Sequence, residues 1–252
     1  MSNLIASLKE NRQEIIQAIR EGMIGLEMIQ DFNELYSEHS MPINDSQTEF
    51  ASKVMELLNN TRAEFGLERM EIDYKAQIRW TKGKKFNEFT DKYSIGDSVS
   101  LLQTNFNRTI FLNASLMGPD PGFVCALAIA HELAHYTHDG VGVREYSEIL
   151  DEGITQRTAK IVLEKIFQEE ETKKLDFYDE ELELVLYLKE NRPELYEELH
   201  ACAFRGQGKT AFDLMKDNYG AGVAKHFKID MGNSGKTAKS LLGLLQSRDS
   251  VN

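Results

Sequence analysis

"AIAHELAHYTHDG", residues 128–140, holds three of the chain's six histidines within eight positions. His131, Glu132, Leu133, Ala134 and His135 form an HExxH motif. Residues i and i+4 of a helix project from one face, so the two imidazoles can reach a single metal ion. Glu132 is offset by ~100° and can hold a metal-activated water without joining the histidines as a ligand. Zinc brings the pKa of such a water from 15.7 toward ~7, and a neighbouring carboxylate can take its proton during attack on a carbonyl. The flanking run "FVCALAIA" is apolar nearly all round, which predicts a buried helix ending at Gly140. Imidazoles buried there without partners would be costly, and a metal supplies the partner.

Two histidines and a water leave zinc one protein ligand short. His138, at the predicted helix end, projects away from the first pair and nearer the solvent, so it reads as a terminal or supporting residue. The next predicted helix begins "SEILDEGITQ", residues 147–156, and offers Glu148, Asp151 and Glu152. Glu148 and Glu152 share a helix face and both remain open as ligands. Sixteen residues lie between His135 and Glu152, enough to finish one helix, turn at Gly140–Gly142 and start another; Glu148 leaves twelve. The carboxylate not used would orient a histidine N–H. Gly153 would let this second helix pack closely on the first.

HExxH followed by a glutamate on a later helix resembles the gluzincin group of zinc metallopeptidases. "DEGIT", residues 151–155, is similar to the Glu-Gly-apolar-Ala/Thr signature of its alanyl and glycyl aminopeptidase-like families. The resemblance spans roughly residues 105–165 and implies that Glu152 is the third zinc ligand. It also implies a zincin-like fold, with "RTIFLN" (108–113) similar to the edge strand on which zincins lay an extended peptide. The spacing from His135 to Glu152 is slightly shorter than usual there, and Gln156 stands where thermolysin-like members carry aspartate. The glycine-containing motif that fixes a substrate's free amine in aminopeptidases is not found, so exopeptidase action is not implied. Tyr187, Tyr196 and His200 are candidates for stabilising the transition state.

Outward from the motif, apolar residues recur near period 3.6 over 3–38 and 45–65, with "SMPIND" as the break and Asp45 as the expected N-cap. "MEIDYKAQIRW" (70–80) alternates, placing Ile72, Tyr74, Ala76 and Ile78 on one face of an expected strand. "SVSLLQ" and "RTIFLNASL" read as strands joined by a "TNFN" hairpin turn, and "GPDPG" then offers Asp120 as cap and Pro121 as first helical residue. Beyond the second long helix, further helices are interrupted at Pro193. The expected organisation is a helical N-terminal segment, 1–66, and a metallopeptidase domain, 67–252. "GQGKT" (206–210) and "GNSGKT" (232–237) resemble the end of a P-loop. The first glycine of that pattern is replaced by Ala203 and Asp230, so both read as glycine turns before helices.

Apolar residues make up 41% and charged residues 28% of the 252, the texture of a soluble globular chain. The net charge of −12 disfavours nucleic acid, and no run reaches the ~20 apolar residues of a membrane span. Lys9 and Glu10 interrupt any secretory h-region, and two cysteines build no disulfide framework, so a cytoplasmic location is expected. Cys125 reads as a small buried apolar residue. The expected fold is α+β, a small antiparallel or mixed sheet with an active-site helix and a mostly helical remainder. The expected function is hydrolysis of peptide bonds in a protein or peptide substrate, with Zn2+ held by His131, His135 and Glu152 and with Glu132 as general base. A second reading is a catalytically weak zinc-binding regulatory or interaction protein on the same scaffold. Glu132 favours the enzyme, since a structural zinc does not require it.

Overall fold

The alternating stretch 70–80 keeps its alternation in burial but not in hydrogen bonding. Glu71, Asp73 and Lys75 are exposed while Ile72, Tyr74 and Ala76 are half-buried, yet only the end of the stretch is a strand. In the computed structural model, which describes residues 26–93, 100–103, 108–115, 122–138, 147–167, 179–227 and 234–250, the carboxylate of Asp73 accepts a hydrogen bond from the Ala76 amide at 3.1 Å. That cap starts a four-residue helix, and Asn59 pairs with both backbone groups of Met70 at 2.8 and 3.0 Å. Local side-chain bonds thus take the backbone groups that a longer strand would have needed.

Two compact units divide the chain, the first from Met1–Lys53 and Glu71–Glu132, the second from Val54–Met70 and Leu133–Asn252. In chain order the described elements are α1 (Leu26–Glu38), β1 (Ser40–Pro42), α2 (Asp45–Glu64), α3 (Tyr74–Gln77), β2 (Ile78–Thr81), α4 (Gly83–Lys92), β3 (Ser100–Gln103) and β4 (Thr109–Asn113), followed by α5 (Gly122–Thr137), α6 (Glu148–Ile166), α7 (Asp179–Asn191), α8 (Pro193–Phe204), α9 (Gly208–Tyr219), α10 (Ala221–Phe227) and α11 (Ser234–Asp249). The class is α+β, with helices far outnumbering strands.

The first unit carries a four-stranded mixed sheet in the order β1-β2-β4-β3. β2 and β4 are parallel, Ile78 opposite Ile110 and Thr81 opposite Asn113, while β1 and β3 pair antiparallel with their neighbours. β4 is therefore interior, and the expectation of "RTIFLN" as an edge strand is corrected. All five of its residues are buried, the pattern of a strand covered on both faces, and among the described residues β3 lies at that edge. Phe32, Leu35, Phe86, Phe89 and Phe111 form the apolar core on which α1 and α4 pack. The N-cap of α2 is Asn44 rather than Asp45. Asn44 accepts from the Gln47 amide at 2.9 Å and Gln47 accepts from the Asn44 amide at 3.0 Å, a reciprocal capping box, while Asp45 instead pairs with Lys75.

The second unit is helical. α6, α7, α8, α9, α10 and α11 share one core that includes Ile154, Leu184, Leu188, Leu199, Met215 and Leu241. Pro193 opens α8, with the break from α7 at Arg192 as the sequence suggested. Gly206, at φ 63°, makes the turn before α9, consistent with the glycine-turn reading of "GQGKT". No described helix is long and apolar enough to cross a membrane. The expected helix over 3–25, the "TNFN" turn, the Asp120–Pro121 cap, the Gly140–Gly142 turn and the glycines of "GNSGKT" at 232 and 235 lie outside the described residues or side chains.

Candidate metal centre

α5 is buried on nearly every side, with Leu127, Ile129, Ala130, Leu133 and Ala134 fully enclosed. Its last turn is held by Arg62, a buried residue that donates to the Thr137 carbonyl and, through Nε, to the Glu68 carbonyl at 2.7 Å. A cation at a helix C-terminus satisfies orphan carbonyls and favours the end of the dipole. α6 starts at Ser147, whose hydroxyl accepts from the Leu150 amide at 3.2 Å, and it places Glu148 and Asp151 in the first turn, where negative charge suits the N-terminus.

These two helices bring the sequence-predicted residues together. Ligand atoms of His131, His135 and Glu152 lie within 4.8 Å of one another. His135 Nε2 is 3.2 Å from Glu152 Oε2. The edge of a tetrahedron with ~2.1 Å bonds is ~3.4 Å, so this separation suits two ligands of one zinc ion. Two imidazoles and a carboxylate are also a donor set that zinc accepts. Glu132 sits beside His131 and is buried, at 7% exposure. Glu148 belongs to neither described group of potential metal donors.

The other face of His135 is the part sequence reasoning missed. Its Nδ1 lies 3.2 Å from Asp151 Oδ2 and 3.1 Å from the Thr155 hydroxyl. Asp151 and Thr155 are one helical turn apart, so they share a face, and Glu152 is rotated ~100° from Asp151. One imidazole thus fits between adjacent carboxylates, one at each ring nitrogen. A supporting carboxylate was expected in whichever of Glu148 and Glu152 was not the ligand; the carboxylate beside His135 Nδ1 is that of Asp151. A signal was present in "DEGIT": an aspartate one residue before Glu152 and a threonine four residues after that aspartate. His138 stands just past the end of α5, as read, but its expected nearness to solvent is corrected. It is buried, at 5% exposure, with its ring edge-on to Phe204 at 5.0 Å and its Nδ1 3.5 Å from Asp151 Oδ1. His135, His138 and Asp151 form a second set of donor atoms within 4.8 Å.

Burial alone would push His135 toward the neutral form, but the charges of Glu152 and Asp151 outweigh it and raise its pKa to about 10. Burial likewise works against the Asp151 carboxylate, and the adjacent His135, with His138, holds it well below the usual carboxylate range.

The remaining candidates occupy other positions. Tyr187 donates its hydroxyl to Asp249 at 2.8 Å, beside Arg192 and Tyr219, in a cluster that ties α11 to α7 and α9. Tyr196 and His200 stack at 5.6 Å within an aromatic group that includes Phe65 and Phe204. His200 Nε2 lies 3.2 Å from the Thr158 hydroxyl, which itself donates to the Ile154 carbonyl at 2.8 Å. Cys125 is buried, as expected, with Gln47 donating to its sulfur at 3.6 Å; burial raises the thiol pKa to about 11, against a smaller opposing effect of that hydrogen bond. Gly153 faces α7 rather than α5: a Cβ there would meet the Glu181 carbonyl oxygen and Val185 Cγ2, each at 2.6 Å.

No protein-family model matches this chain, and no curated protein or solved structure matches it.

Proposed function

We propose that this protein is a zinc-dependent peptidase of gluzincin type, hydrolysing peptide bonds in a protein or peptide. The observation that carries the reading is the convergence of His131, His135 and Glu152 donor atoms within 4.8 Å, next to a buried Glu132. His131 and His135 from α5 and Glu152 from α6 would hold the ion. Zinc, when bound, supplies Lewis acidity and an acidified water at neutral pH. Glu132 takes a proton at its carboxylate during attack and returns it to the leaving amine. The outer edge of β3, on which no described strand pairs, takes the place of β4 as the backbone edge to which an extended peptide could add as a further strand.

The test is N-terminal labelling proteomics on lysates incubated with the zinc-loaded wild type and with Glu132→Ala. New N-termini confined to the wild-type sample are expected. Zinc bound stoichiometrically without any such cleavage would instead favour the zinc-binding regulatory protein.

A further inference from the structure

We infer that Asp151, itself held by His138, is a positioning residue that sets the orientation of His135 and so the affinity for the metal. The inference rests on the proposed zinc site. A histidine can offer a metal only the ring nitrogen that carries no proton, and the hydrogen bond at the other nitrogen decides which one that is. For His135 the two sides are chemically different. Nε2 looks toward Glu152 and joins the donor group with His131, while Nδ1 looks toward Asp151 and Thr155. With Asp151 Oδ2 at 3.2 Å and the Thr155 hydroxyl at 3.1 Å, Nδ1 is the nitrogen beside an anionic acceptor; a proton there, directed at Asp151, would leave the Nε2 lone pair for the ion.

His138 makes this arrangement particular to the chain. Asp151 is buried, at 5% exposure, and its two oxygens are divided between two rings: Oδ2 faces His135 and Oδ1 faces His138. His135 lies in the last turn of α5 and His138 one residue past its end, and Phe204 packs on the latter. A carboxylate with a partner on each oxygen has one orientation rather than several, so His138 acts on the metal through Asp151 without being a ligand. The same residues could be read as a second metal site, because His135, His138 and Asp151 donor atoms also lie within 4.8 Å. Filled together with the first site, it would need His135 to bind ions through both nitrogens at once, as a deprotonated bridge; filled alone, it would need His135 to bind through Nδ1. A shared carboxylate requires only the ordinary neutral imidazole.

The experiment is zinc affinity by competition with a chromophoric chelator on wild type, Asp151→Asn, Asp151→Ala and His138→Phe, joined to two-dimensional 15N–1H spectra of the histidine rings in zinc-loaded protein. Wild type should bind one zinc, with His135 protonated at Nδ1 and ligated through Nε2. Asp151→Ala should weaken binding by ~10–100-fold, the usual loss for a supporting partner of a metal-bound histidine. Asp151→Asn, which keeps an acceptor oxygen, should recover part of that loss, and His138→Phe should lose less than Asp151→Ala. Melting curves without zinc separate a folding defect from weakened binding, and Asp151→Asn carries the test if Asp151→Ala does not fold. Asp151 variants within about threefold of wild type, His135 ligated through Nδ1, or two zinc ions per chain would overturn this inference and leave the zinc-site reading standing. A wild type that binds no zinc overturns both.

Discussion

Glu152 and Glu148 differ by one helical turn, and on the proposed reading that turn separates a metal ligand from a residue outside the donor group. Glu152 Oε2 approaches His135 to 3.2 Å, whereas Glu148 lies at the first position of α6 and outside both donor groups. Glu152→Ala should therefore abolish tight zinc binding, and Glu148→Ala should change it only mildly; chelator competition giving the reverse order would refute the assignment. Glu132 has a separate task. Glu132→Gln should retain zinc and fold while activity on an identified substrate falls by roughly 10²–10⁴-fold, the range for a positioned acid–base group. Activity within about threefold of wild type would remove Glu132 from the mechanism.

Between elements, the contact of α6 with α7 is set by a hydrogen atom at Gly153. A methyl group there would lie 2.6 Å from the Glu181 carbonyl oxygen, a backbone atom that cannot step aside as a side chain can. Gly153→Ala should destabilise the fold by ~1–3 kcal/mol, the usual range for overpacking, measured by denaturant titration. Because Glu152 is the preceding residue, zinc affinity should fall with it. His200 gives a second test at this scale. Burial, with the nearby His138, Arg157 and Lys189, lowers its pKa to about 4, so the folded state favours the neutral ring. The unfolded chain binds this proton near pH 6.5, so the stability contribution is complete above that pH and is lost as pH falls toward 4. Relative to His200→Gln, the wild type should lose up to ~1.4 kcal/mol of stability per pH unit across that window. Parallel pH profiles for the two proteins would show that His200 does not titrate there.

For the molecule as a whole, a metal held by two helices, as proposed, would link binding to stability. Zinc that binds the native chain and not the unfolded one stabilises by ~4.1 kcal/mol at a free concentration of 1,000 Kd. Addition of a chelator should lower the melting temperature of wild type and leave that of Glu152→Ala unchanged; an unresponsive wild type would count against a metal held within the fold.

The sequence by itself determined what depends on neighbours along the chain. A buried helix with His131 and His135 on one face follows from apolar composition and 3.6-residue periodicity; the β3–β4 pairing follows from two strand-like runs separated by a short turn, and the break at Pro193 from the ring that cannot continue a helix. Tertiary structure decided what depends on facing surfaces. Alternation in 70–80 predicts burial equally well for a strand or for a capped turn, and Asp73 and Asn59 chose the turn through their hydrogen bonds. An apolar strand does not reveal its neighbours, and β4 became central because β2 and β3 both pair with it. Spacing narrowed the carboxylates of "SEILDEG" to a few but could not fix the rotation of their helix. Close packing fixes it: Gly153 turns to α7, leaving Glu152 and Asp151 to face the two nitrogens of His135.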